Sequence, residues 1–340
     1  MSTQGTPGNE LPTLSSEPAE ISRFVVEAAT HAPSVLNTQP WWFSTADREV
    51  SLHADVDRRL KVADPPGREM MISCGAALLT ARVALRYLSL MPKVSVLPDP
   101  DLPNLVARIR YGPEEAAPAE YERDLYAEIP RRHTHSGAFD PAPLPESLIV
   151  LLREEASRAG ATLVILNDEN SRGALAGAVQ AGEYALRLDP RRASEQARWT
   201  PPPGSRRKSG VPASAYPATP SQTEPTFPSR DFAHGHGWGL PPDETAEVPK
   251  SAGLVCVLAT KLDRPEDWID AGQALQRVLL TAGSCGVTAA MHTQPLEVPE
   301  LRSFIASALS DGWFPQMVIR LGTTDQKSVS VRRSLEEVLL

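Results

Sequence analysis

The stretch APSVLNTQPWW, residues 32–42, closes one kind of structure and opens another. Ahead of it, Ile21, Phe24, Val25, Ala28, Ala29 and Ala32 recur at the spacing of one helical face, with Ser16 as the expected cap and Glu17 and Glu20 in the first turn. Pro33 ends that helix, because the residue before a proline is pushed out of the helical region. A hydroxyl at Ser34, amides at Asn37 and Gln39, Pro40 and two indoles follow, a composition suited to recognition rather than to a core. The partner for those groups must come from elsewhere in the chain. Trp41 and Trp42 run on into Phe43 as a strand, so packing is their default role.

Outward from this stretch, strands are expected at Trp41–Ser44, Val50–His53, Val94–Leu97 and Leu105–Arg110. Cys74, Ala77, Leu78, Ala81, Leu85 and Leu88 mark a long buried helix between them. The second half gives helices at 144–159, 171–187, 267–284 and 299–309 and strands at 162–166, 254–259, 287–291 and 316–322. Two pieces repeat between the halves. GAALLTARVAL from Gly75 matches GQALQRVLLTA from Gly272, and ARIRYG ending at Gly112 matches MVIRLG ending at Gly322. An internal duplication follows from that order, and 340 residues are about two domains' worth of chain. Residues 190–249 carry twelve prolines together with Trp199, RRKSG, Tyr216, Phe227, Phe232 and Trp238, without a clear period. Such a segment is either a lid or a disordered insertion, and the spaced aromatics favour a lid.

Composition removes several classes of function. A net charge of −8 argues against nucleic acid or an anionic membrane as the main partner, and no apolar run is long enough to span a bilayer. The amino terminus has no export signal, and Cys74, Cys256 and Cys285 are isolated thiols, so a cytoplasmic location is expected. His133 with His135, and His234 with His236, alternate as a metal pair can, but no carboxylate or cysteine motif completes a set, and no metal is expected. There is no serine nucleophile elbow, P-loop or dinucleotide fingerprint. What remains is arginine: RRHT at 131–134 and VRRSLEEV at 331–338 each offer planar donor forks suited to phosphate oxygens.

RRHT, NTQPW after a helix, the Gly-Ala-Ala-Leu helix and the late arginines together resemble the FMN-binding nitroreductase superfamily. REMMISCGAAL (68–78) and RRSLEEVL (332–339) point within it to the Acg-like subfamily, in which two nitroreductase-like halves are fused. The resemblance covers the chain from Ile21 onward, and NTQPW with RRHT is its specific part. It implies an α+β nitroreductase-like fold, an internally duplicated pseudo-dimer with a proline-rich lid: a flexible tail at 1–20, a first half at 21–130 and a second at 131–340 containing the lid segment 190–249. It also implies FMN. Arg132 and Thr134, joined by Arg332 or Arg333, would hold the phosphate, with Arg131 a lesser member of the cofactor-binding set. Pro33, Ser34, Val35 and Asn37 would meet the flavin from the first half, and Met291, His292 and Thr293 would present main-chain donors to it.

Two departures qualify the match. The first half lacks an Arg-x-Ser/Thr loop and the second lacks NTQPW, which predicts one FMN per chain, and Ser136 stands where many members carry a basic residue. The implied function is NAD(P)H-dependent reduction of flat acceptors such as nitroaromatics or quinones by a monomer, with no catalytic side chain assigned. The alternative is an FMN store whose lid, through Phe227, Phe232 or Trp238, covers the flavin. A flavin-free scaffold is a third reading.

Overall fold

The structure, a computed structural model, describes residues 11–13, 16–113, 117–218, 223–232, 237–240, 251–326 and 329–340. Most of the expected tail at 1–20 therefore lies outside the described residues. Helix α1 (Pro18–Thr30) begins with proline at its first position, where the missing N–H costs nothing, and buries Ile21, Val25, Val26, Ala28 and Ala29. Its cap is Glu17, which makes no side-chain capping bond. Ser16, expected in that role, instead accepts the Thr13 N–H at 3.1 Å. Strands β1 (Trp41–Ala46) and β2 (Glu49–Ala54) form an antiparallel hairpin, and α2 (Arg68–Tyr87) precedes β3 (Leu90–Val96) and β4 (Leu105–Pro113). The four strands make one antiparallel sheet in the order β1-β2-β4-β3. Trp41 is fully buried in the core beneath it, and Trp42 stacks on His53 with ring centroids 3.7 Å apart.

After α3 (Glu120–Glu128) the plan repeats. Helix α4 (Glu146–Arg158) leads into β5 (Thr162–Ile165), then come α5 (Glu169–Leu188) and α6 (Pro190–Arg198), and β6 (Leu254–Thr260) precedes α7 (Pro265–Ser284). Strand β7 (Thr288–Met291), α8 (Pro299–Leu309), β8 (Phe314–Gly322) and the short α9 (Leu335–Val338) complete the chain. The second sheet has the order β5-β6-β8-β7, strand for strand the plan of the first. Insertions distinguish the halves. Asp47 and Arg48 alone join β1 to β2, whereas α5, α6 and the proline-rich segment separate β5 from β6. That segment, expected to be irregular throughout, starts as helix α6, where the Asp189 carboxylate caps the Arg191 N–H at 2.9 Å. Helix α3 was also not anticipated; it buries only Leu125, too little for an apolar period to show.

The halves meet where α2 crosses α7. Gly75 and Gly272 face the opposing helix so closely that a Cβ on Gly75 would stand 2.1 Å from the Ile269 carbonyl oxygen, and one on Gly272 would stand 2.0 Å from that of Ile72. The Gln276 amide donates to the Thr80 hydroxyl across this crossing at 3.0 Å. Two further ties bind the halves. The carboxy-terminal segment returns to the first sheet, where Leu340 N–H donates to the Phe43 carbonyl at 2.8 Å. Residues 132–139 run along the second sheet, with Thr134 bridged to Ala289 and Phe139 to Ser251. No helix among the described residues is long and apolar enough to cross a membrane.

Candidate functional site

The loop between α1 and β1 is held in an unusual shape. Leu36, Asn37 and Gln39 have φ of 46°, 51° and 50°, a left-handed region that costs a non-glycine residue energy and persists only when surrounding bonds impose it. The amides impose it. Asn37 Nδ2 donates to the carbonyls of Gly210 (2.9 Å) and Val331 (3.0 Å), and Gly210 N–H returns a bond to the Asn37 carbonyl at 3.0 Å. Gln39 Nε2 donates to the Lys208 carbonyl at 2.8 Å, while its Oε1 accepts the Arg333 N–H at 2.8 Å. Ser34 Oγ accepts the Gln39 N–H at 2.9 Å. The groups of the opening stretch thus fasten together the first half, the proline-rich segment and the carboxy-terminal segment.

Beside this junction lies a cavity of about 140 Å³ lined by Pro33, Ser34 and Asn37 from the first half and Arg132, Thr134, Ser136, Met291 and Arg332 from the second. Residues 210–212, Ala215 and Phe232 close it from the proline-rich segment. Arg132 and Arg332 both donate to the His31 carbonyl, at 3.3 and 3.2 Å. That carbonyl lies at the carboxy-terminal end of α1, where the helix dipole favours cations. Arg332 Nη1 also donates to Asn37 Oδ1 at 3.2 Å and to the Val331 carbonyl at 2.9 Å, but no carboxylate pairs with either guanidinium among the described residues. Nε and Nη1 of Arg132 and Nε of Arg332 are buried without a hydrogen-bond partner among the described residues. Burial, then the charge of Arg332, lowers the Arg132 pKa to about 9, and burial lowers that of Arg332 to about 10. Burial and the same two arginines push His31 down to about 4, so its ring is neutral. A small anion accepting two or three hydrogen bonds would satisfy these donors, so a phosphate group fits the residues present.

The other expected residues lie outside the cavity wall. Arg131 is exposed to solvent. Val35 donates its N–H to Ser73 Oγ at 3.3 Å, and Arg333 turns to the carbonyls of Gln39 and Trp41. The main-chain donor expected at His292 is taken by the Val318 carbonyl at 2.9 Å, and the Thr293 hydroxyl by Arg230 and Glu297. Of the aromatic residues expected over the site, only Phe232 reaches the wall. Phe227 is fully buried in the core under the second sheet, and Trp238 is not part of the wall. His133 contacts the Ser330 hydroxyl and His135 the Ala138 carbonyl, and no metal-binding cluster occurs among the described residues; His234 and His236 lie outside them.

One residue given no role in the sequence organises the surroundings. Arg320, fully buried, donates to His292 Nε2 (2.9 Å) and to the carbonyls of Ala252 (3.0 Å) and Gly137 (2.9 Å), between the rings of Phe139 and Phe227. It ties the arginine loop and the end of the proline-rich segment to β8. Its counterpart in the repeat, Arg110, is exposed on a pair with Glu49, so the repeat marked the position but not its burial.

Two antiparallel four-stranded sheets of one plan, with an arginine-lined cavity between them, define a duplicated nitroreductase-like protein. A Mycobacterium tuberculosis protein provisionally named NAD(P)H nitroreductase Rv3131 is 33% identical over 327 residues, covering 94% of this chain and 91% of its own length. The chain belongs to that NAD(P)H nitroreductase family. The M. tuberculosis protein provisionally named NAD(P)H nitroreductase acg is 27% identical over 324 residues, covering 94% of this chain and 95% of its own. Among solved structures, a nitroreductase with bound FMN from Desulfitobacterium hafniense overlaps 63% of this chain and 96% of its own at 12% identity, with a TM-score of 0.41. No family model matches the chain.

Proposed function

We propose that the protein is an FMN-dependent oxidoreductase that uses NAD(P)H to reduce flat acceptors such as nitroaromatics or quinones. The observation that carries this reading is buried Arg132, with Nε and Nη1 unpartnered among the described residues, beside half-buried Arg332 on a cavity built by both halves. Arg132 and Arg332, with the Thr134 hydroxyl, would hold the FMN phosphate. Pro33, Ser34 and Met291 would form the wall along the ring, and the Asn37–Gln39 loop would fix that wall in place. Bound FMN would supply hydride acceptance from NAD(P)H and electron donation to the acceptor. The cavity wall carries no carboxylate or imidazole among the described residues, so this chain's contribution is binding, orientation and exclusion of water.

The same reading assigns 21–130 and 131–340 to the two halves, with 190–249 as the cover, and makes the protein a cytoplasmic monomer whose internal interface replaces a dimer's. The names of its relatives favour turnover over storage of FMN. Purification tests it directly: a yellow protein that anaerobic NADPH bleaches and a nitroaromatic re-oxidises supports the reading. A protein that neither carries nor takes up FMN removes it.

A further inference from the structure

We propose that the cleft between residues 57–62 and α6 binds the phosphate-bearing adenosine half of NADPH and selects it over NADH; this rests on the oxidoreductase reading above. The cleft, about 740 Å³, is separate from the arginine-lined cavity and is walled by five cations, Arg59, Lys61, Arg191, Arg198 and Arg207, on a chain whose net charge is −8. Two carboxylates share the wall, Asp57 and Glu195. Glu195 is spent on the backbone: its oxygens accept Val62 N–H at 3.0 and 3.1 Å and Ala63 N–H at 2.9 Å. Arg191 has a single loose pair, with Asp189 at 3.6 Å. Arg59, Lys61 and Arg198 have no carboxylate partner among the described residues.

The best placed of the five is Arg207, from the RRKSG run. Its Nη1 donates to the Arg198 carbonyl at 2.6 Å and its guanidinium lies 5.8 Å from the centre of the Trp199 ring, so the fork is oriented before any ligand arrives. So many cations with so little compensation suit a polyanion with several phosphates better than a single one. Position supplies the second argument. Trp199 and Arg207 line the cleft, Val211 lines the arginine cavity, and Val211 N–H donates to the Trp199 carbonyl at 2.8 Å. The segment 199–211 therefore borders both spaces, as a dinucleotide spanning them would need. NADPH differs from NADH by one ribose phosphate, the group that arginine accommodates in nucleotide sites.

The test is calorimetry on the full chain as purified, with its bound FMN measured first. Adenosine 2′,5′-bisphosphate is expected to bind at least about tenfold more tightly than adenosine 5′-monophosphate, and more weakly as salt is raised. The double variant Lys61→Glu, Arg198→Glu, both at exposed side chains, is expected to lose that advantage and to raise KM for NADPH, with FMN content, Tm and kcat unchanged. Equal affinity for the two nucleotides in the wild type, or undiminished bisphosphate affinity in the variant, overturns the proposal. A preparation without FMN would count against the oxidoreductase reading alone, because the calorimetry reads the cleft and not the flavin.

Discussion

Arg132 is only 6% exposed, and two of its donors have no partner among the described residues. Its pKa in the folded protein, about 9, lies below the ordinary arginine value, so the unfolded chain holds the proton more tightly and the buried charge costs stability at neutral pH. A bound phosphate reverses that cost. Arg132→Met should therefore leave the Tm of FMN-free protein unchanged or higher while weakening FMN binding by roughly ten- to a hundred-fold, the worth of one charge-assisted contact. Flavin titration alongside thermal melts checks both halves of the expectation. Unchanged FMN affinity would remove Arg132 from the site. Three partly or fully buried histidines add a second linkage of the same sign at lower pH. Burial first, then neighbouring arginines, lower the pKa of His31 to about 4, that of His133, and that of His292 well below its usual value. The unfolded chain takes up these protons as pH falls through about 6.5 and the folded one resists, so Tm should drop from about pH 6.5 downward. His292→Gln should reduce the slope of Tm against pH, even if it lowers Tm overall by loosening Arg320.

Among the elements, those with a strong apolar period were legible in the sequence, and those defined by their neighbours were not. Helix α8 runs over the expected 299–309, and α2 was recognised by its alanine- and leucine-rich face, although it begins earlier, at Arg68. Helices α3 and α6 were missed because each buries only one side chain, Leu125 and Glu195, so hydrophobic spacing carries almost no signal there. At the cavity, Arg132 and Asn37 are named by the family resemblance of RRHT and NTQPW rather than by spacing, and both line the wall. The use of Gln39, the fixation of Arg207 and the burial of Arg320 depend on contacts from distant segments, which spacing does not encode. The match between Gly75 and Gly272 was visible only as a repeat. The structure gives its cause, the close crossing of α2 and α7. Neither glycine has a positive φ, so the constraint is space. Gly75→Ala and Gly272→Ala should each cost about 1–3 kcal/mol or more, measured by urea unfolding, because the added methyl meets helix backbone that cannot swing aside. Gly112→Ala, whose Cβ would meet nothing within 4 Å, is the control for glycine loss as such.

On the scale of the whole molecule, the two halves differ at the connection that builds the cavity wall. The α1–β1 connection carries the Asn37–Gln39 loop, whereas its counterpart between α4 and β5 is only Ala159, Gly160 and Ala161, too short to build a second such wall. One FMN per chain is expected, checked by heat release and quantification against protein; a ratio near two would contradict it. The insertion between β5 and β6 supplies the cover. With that cover in place the cavity is about 140 Å³. Pockets for small organic ligands typically enclose about 300–1,000 Å³. Were an isoalloxazine ring and a stacked nicotinamide to bind here, the 210–215 strip and Phe232 would have to withdraw, with loss of the Asn37–Gly210 bonds. Deleting residues 213–238 is a poor test, since it removes Phe227, a core side chain whose loss costs about 3–5 kcal/mol. Phe232 is half-buried, and its described ring contact is with Tyr216, centroids 5.2 Å apart, so Phe232→Ala opens the wall without emptying the core. If the cover limits access, Phe232→Ala should retain FMN, held by Arg132 and Arg332, and speed its anaerobic reduction by NADPH in stopped-flow traces. A slower reduction with FMN still bound would mean that Phe232 is part of the surface on which the nicotinamide stacks, and the segment would then be a wall of the working site rather than a gate over it.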